Sequence, residues 1–331
     1  MDSLIDIRVI NADVLKHKSD VLALKYAQAN YGIDRIISEM LKVAGYDIAK
    51  MRPKPGGYRF LRDVQGFGAS ILLFVGVVPL YQFGYREIRD FSRRCLTALA
   101  GEAPDIETLA LTLHGAGYGL DESEAFESEL AGLLDAISTK DYPPALRTIS
   151  IVERNTGRCE RLKSVLSDLL PPGKALQEFD TYLKTEPEKK ERLRAAGYAS
   201  DSKPHIFVAM PFKEDMDDVY HYGIQGAVKE AGFLCERADL SAFTGDVMQW
   251  VRERIRSASV VVADLTDANP NVYLEVGYAW GCGKPTVLLA KDAGQLKFNV
   301  RGQRCVLYKK IKDLEVSLAK ELSGLLENGD I

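Results

Sequence analysis

The residue types with the most chemical promise lie between positions 259 and 289. Val260, Val261 and Val262 form a β-branched run that reads as a strand, and Asp264 stands where that strand should end. In a parallel sheet, ligands gather at that end. Asn269, Pro270 and Asn271 then stop the strand, Asn271 is expected to cap a helix over 272–280, and Glu275 falls in its first turns. Glu275 is therefore expected to face back toward Asp264. A carboxylate near a helix N-terminus is readily kept ionised, and a second one at the neighbouring strand end competes for protons. Two such groups can divide nucleophilic and acid-base work. The structural alternative is that Asp264 caps its own loop and Glu275 pairs with a surface cation, and residue types alone leave both open.

A sheet must hold these groups. Strands are expected at 205–210, 233–236, 286–290 and 304–308, with helices over 219–231, from 243 or so to 257, and over 314–325. Residues 213–218 read as a charged loop, and Thr244 or Asp246 as the cap of the helix ending at 257. The alternation predicts a flavodoxin-like parallel sheet flanked by helices, whose carboxyl edge collects Met210, Arg237, Asp239, Asp264 and Glu275. At that edge Arg237 could meet a phosphate through two parallel hydrogen bonds.

The first half alternates in the same way. Strands are expected at 5–10, 21–24, 71–78, 108–113 and 147–153, and helices at 33–43, 85–100 and 124–137, a mixed α/β domain with a largely parallel sheet. The loop His114-Gly115-Ala116-Gly117-Tyr118-Gly119 joins a strand to a helix. Glycines at alternate positions let backbone N–H groups approach an anion there, and they also suit a tight turn. Residues 154–203 read as a charged helical linker broken at Pro171-Pro172-Gly173, with residues 197–204 as a flexible entry to the second domain.

Composition bounds the function classes. With 331 residues, two domains of ordinary size can each bury a core. A net charge of −4 argues against general nucleic-acid or membrane-surface binding. Five scattered cysteines have no metal-ligand spacing, so no metal is expected and they read as reduced packing residues of a cytoplasmic protein. The chain opens without a basic start followed by an apolar core, and its strongest apolar run, 69–80, is too short to span a bilayer.

The stretch from Ala263 to Pro285, with Asp264-Leu265-Thr266, Asn269-Pro270-Asn271-Val272-Tyr273, Glu275, Gly277 and Ala279-Trp280-Gly281, resembles the signature of the nucleoside 2-deoxyribosyltransferase-like superfamily, relatives of Toll/interleukin-1 receptor (TIR) domains. His205 to Phe212 resembles that family's opening strand and substrate loop. The resemblance implies an N-glycosidase domain over 204–331, with Glu275 as catalytic carboxylate, Asp264 or Asp246 holding ribose hydroxyls or water, and Met210, Pro211, Phe212, Arg237, Asn269 and Asn271 around the substrate. Family members that hydrolyse deoxynucleotides carry a second catalytic Asp near what is here Trp250-Val251, where only Asp246 and Glu253 are close. Residues 1–153 resemble a macro domain, related to the N-terminal domain of leucine aminopeptidases, through Val9 to Val14, residues 21–24 and the 114–119 loop. That resemblance implies an ADP-ribose-type or other nucleotide ligand at Asn30, His114, Gly115, Gly117, Tyr118 and Gly119. Where macro domains have Asn-Ala-Ala-Asn, this chain has Lys25-Tyr26-Ala27-Gln28-Ala29-Asn30.

Together these readings imply a two-domain α/β protein, macro-like then flavodoxin-like. Its expected function is a nucleotide-regulated, NADase-type hydrolase of bacterial anti-phage defence, switched by association into a homo-oligomer, with NAD or a nucleotide as substrate and no cofactor. The alternatives are a nucleotide-salvage enzyme acting on (deoxy)nucleoside 5′-phosphates and a nucleotide sensor without turnover.

Overall fold

The computed structural model describes residues 5–30, 32–171, 182–237, 245–329 and 331. The chain divides into two compact units: Met1–Ala116 with Glu122–Asp201, and Gly117–Asp121 with Ser202–Ile331. Both are α/β.

The first unit holds β1 (Asp6–Asn11), β2 (Ser19–Tyr26), α1 (Gly32–Val43), β3 (Tyr58–Leu61), β4 (Ala69–Gly76), α2 (Tyr85–Glu102), β5 (Thr108–Leu111), α3 (Glu122–Ser138), β6 (Thr148–Glu153), α4 (Thr156–Leu169) and α5 (Pro187–Ala195). Its sheet runs β1-β6-β5-β2-β4-β3, parallel except for β3, which lies antiparallel on β4. The mixed sheet thus comes from one edge strand, which the sequence pattern did not announce because four residues show too little alternation. Leu22, Leu24, Phe74 and Ala110 from the strands pack on Ile37 and Leu41, the inner stripe of α1. Residues 154–201, expected as a linker, count with this unit. Arg89 of α2 explains much of that. Its guanidinium donates to the carbonyls of Leu193, Arg194 and Ala196 at the end of α5 and pairs with Asp135, while Arg192 of α5 pairs with Glu127.

The second unit holds β7 (His205–Ala209), α6 (Glu214–Asp218), α7 (Gln225–Glu230), β8 (Leu234–Glu236), α8 (Gly245–Ser257), β9 (Val260–Asp264), α9 (Pro270–Gly281), β10 (Thr286–Ala290), β11 (Cys305–Leu307) and α10 (Ile311–Glu327). All five strands are parallel, in the order β11-β10-β9-β7-β8. Counted from β7, this is the flavodoxin-like order 2-1-3-4-5, whose switch point lies between β7 and β9. Every residue of those two strands is buried, as a strand covered on both faces requires. Ile206, Val208, Val260 and Val262 meet Ile224, Leu314, Leu318 and Leu322 on one face.

The stretch 213–218, expected as a loop, forms α6. Glu214, Asp215 and Asp217 in its first turn suit the helix dipole, and Met216 is fully buried beneath it. A single wider π-type turn, Val219–Ile224, continues into α7. No described helix is long and apolar enough to cross a membrane.

Candidate functional site

The switch point is flanked by the loop after β7 and the loop after β9. Asp264 ends β9 and is fully buried. Its Oδ1 accepts from the Thr266 amide at 2.9 Å and its Oδ2 from the Tyr308 hydroxyl at 2.6 Å. Burial raises its pKa, and those two donors together with the Lys291 charge hold it back. Asp264 is thus a staple between the β9 loop and the residue following β11.

The loop then turns sharply. Asp267 and Ala268 both adopt left-handed backbone, with φ of 63° and 49°, a conformation costly for residues with a Cβ and found most often at functional sites. Asp267 reaches Lys213 of the β7 loop at 2.6 Å. Helix α9 begins two positions earlier than expected. Asn269, not Asn271, is its cap, accepting from the Asn271 amide at 2.9 Å, and Pro270 takes the first helical position, where its missing N–H and fixed φ fit. Asn271 itself is exposed.

Helix α9 packs against β7, β9 and β10, which places Glu275, two turns in, on its inner face. Glu275 is buried, with 6% of its surface exposed. Among the described residues nothing gives its carboxyl a hydrogen bond or an ion pair. Burial alone pushes its pKa up to about 8. Asp264 is not among the causes of that shift, and its own carboxyl bonds Thr266 and Tyr308.

On the other side of β7, Met210 and Pro211 are buried and Phe212 is half-buried. Arg237, just past β8, lies between two rings, its guanidinium carbon 4.3 Å from the centre of Phe212 and 4.1 Å from that of Tyr220. Its remaining contacts among the described residues are weak, 3.3 Å to Asp217 and 3.6 Å to the Met210 sulfur. A flat cation clamped this way is rigid and keeps most of its N–H donors available. Asp246 falls in the first turn of α8, and its side chain, like Asp239 and Thr244, lies outside the described residues.

The residues expected to bind a ligand in the first half have three different settings. His114 is buried, its amide and Nδ1 3.2 and 3.3 Å from Glu129 Oε2. Lys25 pairs with Asp34 at 2.7 Å, both buried. The Lys25 charge acts on both His114 and Glu129, so four ionisable groups from β2, α1, the β5 loop and α3 share one interior. Burial pushes Glu129 up to about 8 and His114 well below the usual imidazole range. Sequence reading found only His114 of these. Its one available signal was Lys25, a cation in the otherwise apolar run of β2.

Gly115 has a φ of 89°, and Ala116–Tyr118 make one turn of 3-10 helix. Gly117–Asp121 belong to the second unit. There the Gly119 carbonyl accepts from the Arg237 amide at 2.9 Å and Asp121 from the Cys235 amide at 3.2 Å. A Cβ on Gly119 would stand 2.5 Å from the Trp250 ring, and its φ is 107°. This glycine is required by close approach to an indole and by a turn, one of the two readings the sequence left open for the loop. Asn30, half-buried after β2, lines a cavity beside α1.

No family model matches the sequence, and no curated protein does. Among solved structures, the Trypanosoma brucei macrodomain in complex with ADP is similar at 14% identity and a TM-score of 0.35, over 49% of this chain and 69% of that one. The Oceanobacillus iheyensis macrodomain with MES bound is similar at 15% identity and a TM-score of 0.38, over 51% of this chain and 93% of that one. Likeness this slight decides neither fold nor ligand, and the strand orders above stand on their own register.

Proposed function

We propose that the second unit hydrolyses an N-ribosidic bond, with Glu275 as the carboxylate beneath the anomeric carbon. The observation that carries this reading is a largely buried carboxyl, on the helix that follows β9, with no hydrogen bond or ion pair among the described residues. Burying such a group costs about 1–3 kcal/mol or more unless something answers it, and functional sites are where that cost is tolerated. The resemblance of 263–285 to the deoxyribosyltransferase-like and TIR-like signature points to the same residue.

The reaction passes through an oxocarbenium-like state, which a carboxylate stabilises. The carbon–nitrogen bond breaks with its electron pair leaving on the base, and water supplies the hydroxyl to the anomeric carbon. A pyridinium base leaves neutral and needs no proton from the protein. That suits a site where Asp264 is already engaged and Glu275 is the carboxyl left over, and it favours NAD over deoxynucleotides. A cationic nucleotide also lowers the pKa of Glu275, drawing it into the carboxylate form as it binds. Arg237, rigid and open at its edge, then meets the substrate's phosphates. In this reading the first unit binds a nucleotide signal and association of subunits switches the enzyme on, as a cytoplasmic bacterial anti-phage effector would require.

The engagement of Asp264 favours a second reading, a nucleotide binder without turnover, since one carboxyl alone binds ribose as readily as it reacts. Chromatography of NAD incubated with wild type and with Glu275→Gln, with and without ADP-ribose-type nucleotides, separates the two. Nicotinamide release that requires Glu275 supports the hydrolase. Base release from deoxynucleoside monophosphates and none from NAD moves the assignment to salvage chemistry, and silence on both leaves the binder.

A further inference from the structure

A cavity of about 420 Å³ opens in the first unit between α1 and the single 3-10 turn Ile48–Met51. That volume lies within the range of small-molecule sites, about 300–1,000 Å³. Its floor is fixed, because Tyr46 and Ile48 pack on the core cluster beneath α1. Its polar groups are unusually idle. Ser38 is 7% exposed and faces the cavity, yet its hydroxyl has no hydrogen-bond partner among the described residues. The same holds for the Asn30 amide and the Tyr46 hydroxyl. The Ser38 hydroxyl opens on the cavity rather than into the core, so these three groups are free to meet a ligand there.

Charge narrows what that is. Arg35 is answered by Glu39 at 3.3 Å, and Asp47 by Lys50 at 3.4 Å and by the Ala49 amide at 3.1 Å. Lys42 and Arg52 line the same cavity and have no ion pair among the described residues. Two unanswered cations call for an anion, and the carboxylates of Glu39 and Asp47 beside them call for hydroxyl donors. A phosphorylated sugar brings both. A second cavity, about 570 Å³ at the amino ends of β2 and β5, makes a useful contrast. There Lys16 and Lys18 are exposed, but the polar groups already serve the fold: Ser19 donates to the Val21 carbonyl, and Asp20 accepts from the Glu107 and Thr108 amides.

We propose that the cavity between α1 and residues 46–52 binds a phosphorylated sugar, free or within a nucleotide, with Lys42 and Arg52 on the phosphate and Ser38 and Asn30 on the sugar. This site is independent of any turnover at Glu275. The test is calorimetric titration of the full chain with ribose 5-phosphate, adenosine 5′-monophosphate and inorganic phosphate. Wild type is expected to bind at least one of the first two more tightly than phosphate. Equal affinity for the two identifies a sugar phosphate, and tighter adenosine monophosphate identifies a nucleotide. The double substitution Lys42→Ala/Arg52→Ala, at exposed positions that leave the core intact, should weaken binding about tenfold or more, as expected for lost charge-assisted contacts. Ser38→Ala should weaken the sugar ligands and spare phosphate. Lys16→Ala/Lys18→Ala should leave all affinities unchanged. The proposal is overturned if none of the three probes binds, if inorganic phosphate binds as tightly as the sugars, or if the double variant binds like wild type.

Discussion

Two buried glutamates, one in each unit, have pKa values pushed up to about 8, and the chain treats them in opposite ways. Glu129 accepts the His114 amide and sits in reach of the Lys25 charge, so the fold itself offsets part of its burial. Glu275 has burial as its only cause and no partner among the described residues. Glu129 is sealed, with 0% of its surface exposed and its Oε1 left without a partner among the described residues, whereas Glu275 keeps 6%, so an arriving molecule can reach only the second. The number is the same, and the surroundings separate structure from chemistry.

The sharpest way to break this comparison is Glu275→Gln. It should reduce NAD cleavage by roughly a thousandfold or more, on the scale of losing a key transition-state contact, while thermal unfolding shows a protein at least as stable as wild type at pH 8. Retained turnover would end the role proposed for Glu275. The counterpart is Lys25→Met. Removing that cation leaves Asp34 buried without its ion-pair partner, and chemical denaturation should show a loss of about 3–5 kcal/mol.

The pH dependence comes next. Both glutamates are protonated more readily folded than unfolded, so their contribution is present below about pH 4.5 and is lost as pH rises toward about 8, by up to about 1.4 kcal/mol per pH unit for each group. His114, held low, acts oppositely: its contribution is present above the usual imidazole range and lost as pH falls below it. Melting temperature should therefore decline between pH 6.5 and 8. Glu129→Gln and Glu275→Gln should each remove a share of that decline over the same pH range. A flat wild-type profile would contradict both shifts.

Tyr308→Phe should cost about 1–3 kcal/mol, the scale for leaving buried Asp264 Oδ2 without its donor. Smallest of all is Lys213→Ala. Its pair with Asp267 is about half-exposed on both sides, so stability should change by less than about 1 kcal/mol.

Legibility in the sequence followed distance along the chain. The strand ending at Asp264, the Asn-Pro break and the helix carrying Glu275 could be read because a β-branched run, a proline and an apolar stripe act over a few residues. The cap was misplaced by two positions since either asparagine satisfies the local pattern, and Pro270 decides between them only through its fit at the first helical position. Strand β3 and helix α6 were missed for want of length and of apolar periodicity. The partners of Asp264 and His114 were beyond reach. Tyr308 lies 44 positions from Asp264, and the Lys25, Asp34, His114 and Glu129 group is drawn from four elements. Folding decides which charges meet, and residue type alone decides only which are able to.

The bonds from the Gly119 carbonyl and the Asp121 carboxylate to the amides of Arg237 and Cys235 have one more effect. Strand β8 ends its sheet, and an open margin of unpaired amides is a template for strand addition from another chain. Two of those amides are already occupied, so the β8 side is blunted against fibre-like growth. The opposite margin is β11, only three residues long with Leu307 half-exposed. Within this sheet, strand addition is left to that short side.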